Sequence, residues 1–474
     1  MNRGDHPTGA NGDVETFDHV IVGAGQAAKT LAAGLPPRET IAIVEGARVG
    51  GTCVNTGCTP TKALIASAKV AHQARRAGDY GVRVEGVEID FAALMERMNA
   101  IRGDSREGLE RWYESSEHIT LVRGWAQFTA PRTLRVGERT LRGAHVYLNV
   151  GARARVPDLP GLSDVPWLDN DRLLELEELP EHLVVLGGSY VGLEFGQMFH
   201  RFGARVSVVE AGSQLMGRED GDVAEAAREL LAREGLTIEL DASVTRVEST
   251  AGGGVALVLD GAQGEWRLEG SHLLVAAGRT PNSDRLELGR AGIEVDERGH
   301  VRVDDVLRTS AEGVFALGDV NGEGAFTHTS VNDAEIVLDQ LHGGPRTLSA
   351  RHAVYNMYID PPLGRVGLTE RAALERGHRV LKATMPMRSM SRAIELGETE
   401  GFVKVLVDAD SERFLGASVL GVGGDEVIAA LAVAMNADVT WHAFRTTVLP
   451  HPTVAEMMPW ILDGLEPVAA DASA

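Results

Sequence analysis

Cys53 and Cys58 are the only two cysteines in a chain of 474 residues, and both stand in the stretch GGTCVNTGCTPTK, residues 50–62. Thiols exchange disulfides, accept and release electrons in pairs, and bind soft metals. As a structural staple, a bond between these two would close a loop of about six residues, whereas the entropic benefit of a cross-link grows with the loop it closes. In a regular helix, residues five apart have Cα atoms roughly 8–9 Å apart, beyond the roughly 7 Å that a disulfide tolerates. A redox pair therefore requires a local irregularity, which Gly57 permits. Thr59-Pro60 reads as an N-cap and first-turn proline opening the helix TKALIASAKVAHQARR. Cys58 is then expected at a helix N-terminus, where the dipole favours thiolate over thiol. The alternative is two inert cysteines that are neighbours by chance.

Such a pair needs an electron source, and the elements around it supply candidates. FDHVIVGAGQAAKTLAAGL predicts a buried strand from Phe17 to Val22, a glycine turn and a helix to about Leu35, with the strand TIAIVE ending at Glu45. The turn carries Gly23, Gly25 and Ala28 in a G-x-G-x-x-A pattern, and Glu45 follows Gly23 by 22 residues. Glycines let a pyrophosphate approach the backbone, the helix N-terminus offers N–H donors, and the acid receives ribose hydroxyls. The same plan returns in EHLVVLGGSYVGLEFGQMFHRFGARVSVVE: Gly187, Gly188 and Gly192 form the turn, a helix runs through Phe202, and Glu210 lies 23 residues after Gly187. Ser189 stands where a glycine is usual. Glu210 would repel a 2′-phosphate and Ala211, Gly212 and Ser213 offer no arginine, so NADH is favoured over NADPH, with Arg218 the one nearby feature pointing the other way.

Beyond GVFALGDV a helix is expected from about Asp333 to Leu341, then a Gly-Gly-Pro break, and FVKVLVDADSERFLGASVLG reads as a hairpin beside the apolar helix DEVIAALAVAMNA. The expected organisation is a disordered tail at 1–16, an FAD-binding domain at 17–150 and 279–347, an NAD(P)H-binding domain at 151–278 and an α+β interface domain at 348–466. The fold class is α/β: two Rossmann-like domains plus a C-terminal α+β domain. A net charge of −22 disfavours a nucleic-acid or anionic-membrane partner. Residues 1–16 lack the apolar core of a signal peptide, and the expected compartment is the cytoplasm.

These motifs, with VGLE, AAGRTPN, GVFALGDV and HPTVAE in the same order, resemble the FAD-dependent pyridine nucleotide-disulfide oxidoreductases from about Phe17 to Trp460. The resemblance implies that the C-terminal α+β domain is a dimerisation domain, that Cys53 is the interchange thiol and that Cys58 is the thiolate against the flavin. It implies that Lys62 lies near the flavin ring paired with Glu194, that Tyr190 gates the nicotinamide site, and that Asp319 binds the ribityl chain. Gly51, Thr52, Gly151 and Gly278 fall at nucleotide-contacting positions of the same motifs. His451 and Glu456 resemble the acid/base dyad that a homodimer contributes to its partner's disulfide, although Thr453-x-x-Glu456 also reads as a capping box opening a helix at VAEMM. Where many relatives carry a second histidine, this chain has Leu449, followed by Pro450.

The implied activity is electron transfer from NAD(P)H through FAD and the Cys53–Cys58 pair to a small disulfide. A rival is a mercuric-reductase-like metal-ion reductase for Hg(II) or Cu(II), since GAGQAA, GGSYVGLEFGQMF and YIDPPLGRVGLTE resemble that branch. Mercuric reductases resemble one another in a further C-terminal cysteine pair, which LEPVAADASA lacks, and no resident metal site is expected. Met385, Met387 and Met390 offer thioethers, which at this spacing more often pack than bind metal. A redox sensor without turnover is the third reading.

Overall fold

The first strand, β1, runs from Val14 to Val22, three residues earlier than its apolar run predicts. Its early half alternates exposed and half-buried residues, and pairing with Thr140–Gly143 recruits it, reinforced by Arg139 donating twice to Glu15 at 2.7 Å. The expected tail is shortened accordingly; its remainder, residues 1–13, lies outside the residues described by this computed structural model, which are 14–262 and 264–468.

The chain divides into two compact units. The first comprises residues up to Pro60, Glu96–Arg155 and Gly278–Arg351. In it, β1 lies between β2 (Ile41–Glu45) and the strand Arg139–Leu148, all parallel, and Val314–Ala316 adds to the far side of Arg139–Leu148. Burial on both sheet faces explains the unbroken apolar runs VIV and IAIV. Ile21, Ile43 and Tyr147 pack under α1 (Gln26–Gly34) and the helix Thr327–Leu341, and Val20, Val44 and Leu148 pack on the opposite face. That last helix begins six residues before its expected start, because Thr327–Asn332 carry no apolar periodicity of their own. The thiol stretch forms α2 (Gly51–Asn55) and α3 (Cys58–Arg75), the latter counting with the second unit from Thr61 onward.

The second unit holds β3 (His182–Leu186), α4 (Tyr190–Phe202), β4 (Arg205–Val209) and α5 (Gly221–Glu234). Its parallel sheet runs Thr237–Glu239, β4, β3, His272–Val275, Trp167–Leu168. A six-stranded antiparallel sheet follows, containing the expected hairpin Phe402–Asp408 with Phe414–Leu420, and the helix Gly424–Asn436 approaches it so closely that a Cβ on Gly364 would sit 2.2 Å from the Gly424 carbonyl oxygen. Met387 and Met390 are buried in this core, so packing, the commoner use of such a cluster, is what they do.

Within the same unit Lys404, with no exposed side-chain surface, bonds Asp220 at 2.8 Å and Asp222 at 2.6 Å at the start of α5. Burial alone would raise the Asp220 carboxyl, but the Lys404 hydrogen bond, the Glu370 N–H and the charges of Lys404 and Arg365 hold it below the usual aspartate range. Its stabilising contribution is thus complete at neutral pH and is lost only as pH falls below the unfolded aspartate value and through the lowered folded one. Lys404→Ala takes the nearest cation from the buried Asp220, and denaturant melts at pH 7 are expected to show a loss of about 3 kcal/mol. An unchanged midpoint would refute the account.

Candidate active site

In the first unit, the turn after β1 is a cradle that only glycine fits. Gly23 has φ +100, and a Cβ there would meet the Asn149 carbonyl oxygen at 2.3 Å; one on Gly25 would come 3.2 Å from Asn149 Nδ2. Glu45 is already fixed, its Oε2 accepting from Ala24 N–H at 2.9 Å and its Oε1 from Ala47 N–H at 2.7 Å. Ala28 is fully buried where α1 meets the sheet. The second unit repeats the device: Glu210 Oε2 accepts from Gly188 N–H and Oε1 from Gly212 N–H, both at 2.8 Å. Gly187 has φ +118 with no room for a Cβ beside Ala276, and a Cβ on Gly192 would sit 2.1 Å from the Gly187 carbonyl oxygen. Both turns therefore keep side chains out of a close backbone approach and hold an acid oriented, which fits a dinucleotide at each.

The thiol segment closes on the first cradle. Gly50 N–H donates to the Ala24 carbonyl at 2.8 Å, and a Cβ on Gly51 would lie 3.1 Å from Gly25 Cα. Thr52 is exposed on α2 and its carbonyl accepts from Thr56 N–H at 2.9 Å, ending that helix. The chain breaks at Thr56-Gly57, as the cysteine spacing demands, and Gly57 comes within 3.0 Å of the Thr52 carbonyl oxygen at its Cβ position. Cys58 is itself the first residue of α3, so Thr59 and Pro60 occupy the second and third positions rather than the cap and first position expected. Cys53 is half-buried and Cys58 exposed. Cys58 Sγ lies 3.2 Å from Thr327 Oγ1, the first residue of another helix, so two helix N-termini meet at this sulfur.

Asp319 meets Arg279 at 3.3 Å in the first unit, on a turn held from behind by Asp333, whose Oδ2 accepts from Gly318 N–H at 2.7 Å and whose Oδ1 accepts from Arg351 at 2.6 Å. Gly151 and Gly278 take left-handed φ values of +66 and +112 where the chain passes through the short ladder Ala152–Ala154 with Arg279–Pro281. Sequence reasoning missed Asn149, Arg279, Thr327 and Asp333. Only Arg279, inside AAGRTPN, lay in a quoted motif.

In the second unit Lys62 Nζ donates to Glu194 Oε2 at 2.7 Å and lies 4.6 Å from the centre of the Tyr358 ring. Tyr190 opens α4, one turn before Glu194. His451 Nδ1 reaches both oxygens of Glu456, at 3.0 and 2.9 Å. Because a carboxylate accepts, Nδ1 carries the proton and Nε2 is left as the basic nitrogen, on a side chain that is 72% exposed. The expected capping box is half made: Thr453 Oγ1 accepts from Glu456 N–H at 3.1 Å, but the Glu456 carboxylate turns to His451. The helix begins at Met457 rather than in VAE. Among the described residues no cluster of three or more His, Cys, Asp or Glu could hold a metal, and no helix is long and apolar enough to cross a membrane.

A chain that builds the acid-anchored glycine turn twice can seat two dinucleotides, and with a thiol pair closing on the first it has the make-up of a flavin- and nicotinamide-dependent oxidoreductase. Residues 17–334 match the model of the pyridine nucleotide-disulphide oxidoreductases and 355–462 that of their dimerisation domain, and the chain belongs to this family of FAD- and NAD(P)H-using enzymes. It is 36% identical to the probable pyridine nucleotide-disulfide oxidoreductase RclA of Escherichia coli (strain K12), over 93% of this chain and 98% of that one. A mercuric reductase of Streptomyces lividans is 32% identical, over 93% and 94% of the two chains. A solved Cu(II) complex of the HOCl-induced flavoprotein disulfide reductase RclA from Escherichia coli superposes with a TM-score of 0.85 at 34% identity, covering 95% of this chain and 99% of that one.

Proposed function

We propose that this enzyme carries electrons from NADH to a small disulfide through the Cys53–Cys58 pair, working as a homodimer in the cytoplasm. The observation that carries the reading is the placement of Cys58 at a helix start, on a loop seated against the first dinucleotide cradle. Bound FAD would supply the two-electron link between nicotinamide and the cysteine pair. Gly23, Gly25, Glu45, Gly51, Thr52, Asp319 and Lys62 are the residues to hold it; Gly187, Gly188, Gly192, Tyr190 and Glu210 are those for NADH, with Gly151 and Gly278 at the crossings between the nucleotide-binding stretches.

Starting from the reduced pair, Cys53 gives its thiol proton to His451 Nε2, and the resulting thiolate attacks one sulfur of the acceptor disulfide, forming a mixed disulfide and releasing a thiolate that takes that proton back from Nε2. Cys58 thiolate then attacks Cys53 of the mixed disulfide, releasing the second thiolate and closing the Cys53–Cys58 bond. Glu456 keeps the His451 proton on Nδ1 so that Nε2 exchanges with substrate. The exposure of His451 suits a dyad that serves the partner subunit's cysteines. The rival metal-ion reading draws support from the mercuric reductase relative and from the Cu(II) complex of RclA, since two thiolates suit soft metals. The panel of acceptors that separates the two readings is a disulfide series against Hg(II) and Cu(II) with NADH under anaerobic conditions. Turnover of metal ions alone would overturn the disulfide reading.

The proposed preference for NADH draws support from Glu210, whose carboxylate is held by the Gly188 and Gly212 N–H groups and, as the acid that follows the glycine turn, would repel a 2′-phosphate. Glu210→Ala should lower the ratio of kcat/KM for NADH over NADPH by about ten- to a hundredfold, the value of one or two charge-assisted hydrogen bonds. A ratio that stays put would assign the discrimination elsewhere, with Arg218 the next residue to replace.

A further inference from the structure

Two helical turns beyond the Lys62–Glu194 pair, a second polar layer grips the same two helices of the second unit. Glu194, Gln197 and Arg201 follow one another along one face of α4, and all three are buried. The segment Tyr358–Asp360 runs along this face. Tyr358 N–H donates to Glu194 Oε1 at 2.8 Å, Asp360 N–H donates to Gln197 Oε1 at 2.7 Å, and Gln197 Nε2 donates back to the Asp360 carbonyl at 2.9 Å. The Asp360 carboxylate then divides between the helices: Oδ2 accepts from Arg201 Nη1 of α4 at 2.7 Å, and Oδ1 from Lys69 Nζ of α3 at 3.0 Å. Glu234 at the end of α5 backs the layer, accepting from Gln197 at 2.8 Å and from Arg201 Nε.

This layer is built to fix a register. An ammonium on a four-carbon stem ordinarily samples many rotamers, yet Lys62 has its partner carboxylate and its flanking ring both set by residues 358–360: Glu194 uses one oxygen for Lys62 and the other for Tyr358 N–H, and the Tyr358 ring lies against Nζ. Tyr358 is two residues from Asp360, and Lys69 two turns from Lys62. Burial would push the Asp360 carboxyl up, but Arg201 and Lys69 hold it below the usual range, so it is ionised at neutral pH.

We propose that Asp360 is a positioning residue for Lys62: by bridging Arg201 and Lys69 it sets the register of Tyr358 and Glu194, and through them aims the Lys62 ammonium at the flavin. The proposal rests on the reading that gives Lys62 to the flavin, and the test separates the two. In FAD-loaded enzyme, Asp360→Ala, Lys62→Met and the double variant are compared by the rate of anaerobic flavin reduction by NADH and by the flavin midpoint potential. Lys62→Met should slow reduction by about tenfold or more and move the potential. Asp360→Ala should slow it about three- to tenfold and move the potential in the same direction, and the double variant should be no worse than Lys62→Met. Effects that multiply in the double variant would make Asp360 merely structural and overturn the proposal. A Lys62→Met enzyme with unchanged rate and potential would overturn the underlying reading, and the proposal with it. Should Asp360→Ala fail to fold or to retain FAD, Asp360→Asn and Lys69→Met make the same cut more gently and are read in the same cycle.

Discussion

Cys53→Ser should reduce turnover of any disulfide acceptor by at least about a thousandfold, while flavin reduction by NADH keeps its wild-type rate within about twofold. On the proposed mechanism the two half-reactions part because they use different sulfurs. Cys58 lies at the junction of two helix starts, 3.2 Å from Thr327 Oγ1, on the loop that closes on the first cradle. Cys53 lies on the short preceding helix, and on the proposed mechanism it is the sulfur that forms the mixed disulfide with an incoming acceptor. A serine oxygen at Cys53 is no nucleophile toward sulfur at neutral pH, so the cycle stops after reduction. Anaerobic stopped-flow absorbance for the first half-reaction and steady-state NADH consumption for the second measure the two separately. Acceptor turnover that survives Cys53→Ser would remove the cysteine pair from the pathway.

His451→Ala should lower turnover with disulfides by about a hundred- to ten-thousandfold, the range of a lost general acid, with flavin reduction unaffected. The departing thiolate of a split disulfide needs a proton at the moment of cleavage, and Nε2 is the nitrogen that Glu456 leaves available for it. Glu456→Gln should cost less, about tenfold, because an amide oxygen still accepts the Nδ1 proton while the charge that stabilises imidazolium is gone. With Hg(II) or Cu(II) the same His451→Ala variant should lose little, since no thiol leaving group is protonated. Disulfide turnover indifferent to His451 would reduce the dyad to the loop-shaping role that Thr453 already shares with Glu456.

What was legible beforehand follows from what is local. Glycines that must take positive φ, an acid at the end of the next strand, and two cysteines too far apart for a regular helix each write their constraint into a few neighbouring positions, and the structure places them as those constraints require. Element starts were less legible. The first strand begins at Val14 because pairing with Thr140–Gly143 recruits a stretch that is not apolar, and the helix at Thr327 begins on residues without periodicity. Glu456 read as a capping residue on spacing and as the partner of His451 by resemblance, and its carboxylate goes to His451, five residues back across a turn.

The sequence by itself determined the two dinucleotide cradles, the irregular thiol loop and the membership these imply, because turn chemistry and strand burial act between residues close along the chain. Apart from Lys62 with Glu194 and His451 with Glu456, which the resemblance implied, only the tertiary structure decided which charges meet. Asp333 with Gly318 and Arg351, Lys404 with Asp220, and Asp360 with Arg201 and Lys69 are brought together by packing from distant segments, and no periodicity or spacing records such contacts. Burying a charge is costly unless a partner arrives from elsewhere in the fold, so each pair exists only once its unit has folded.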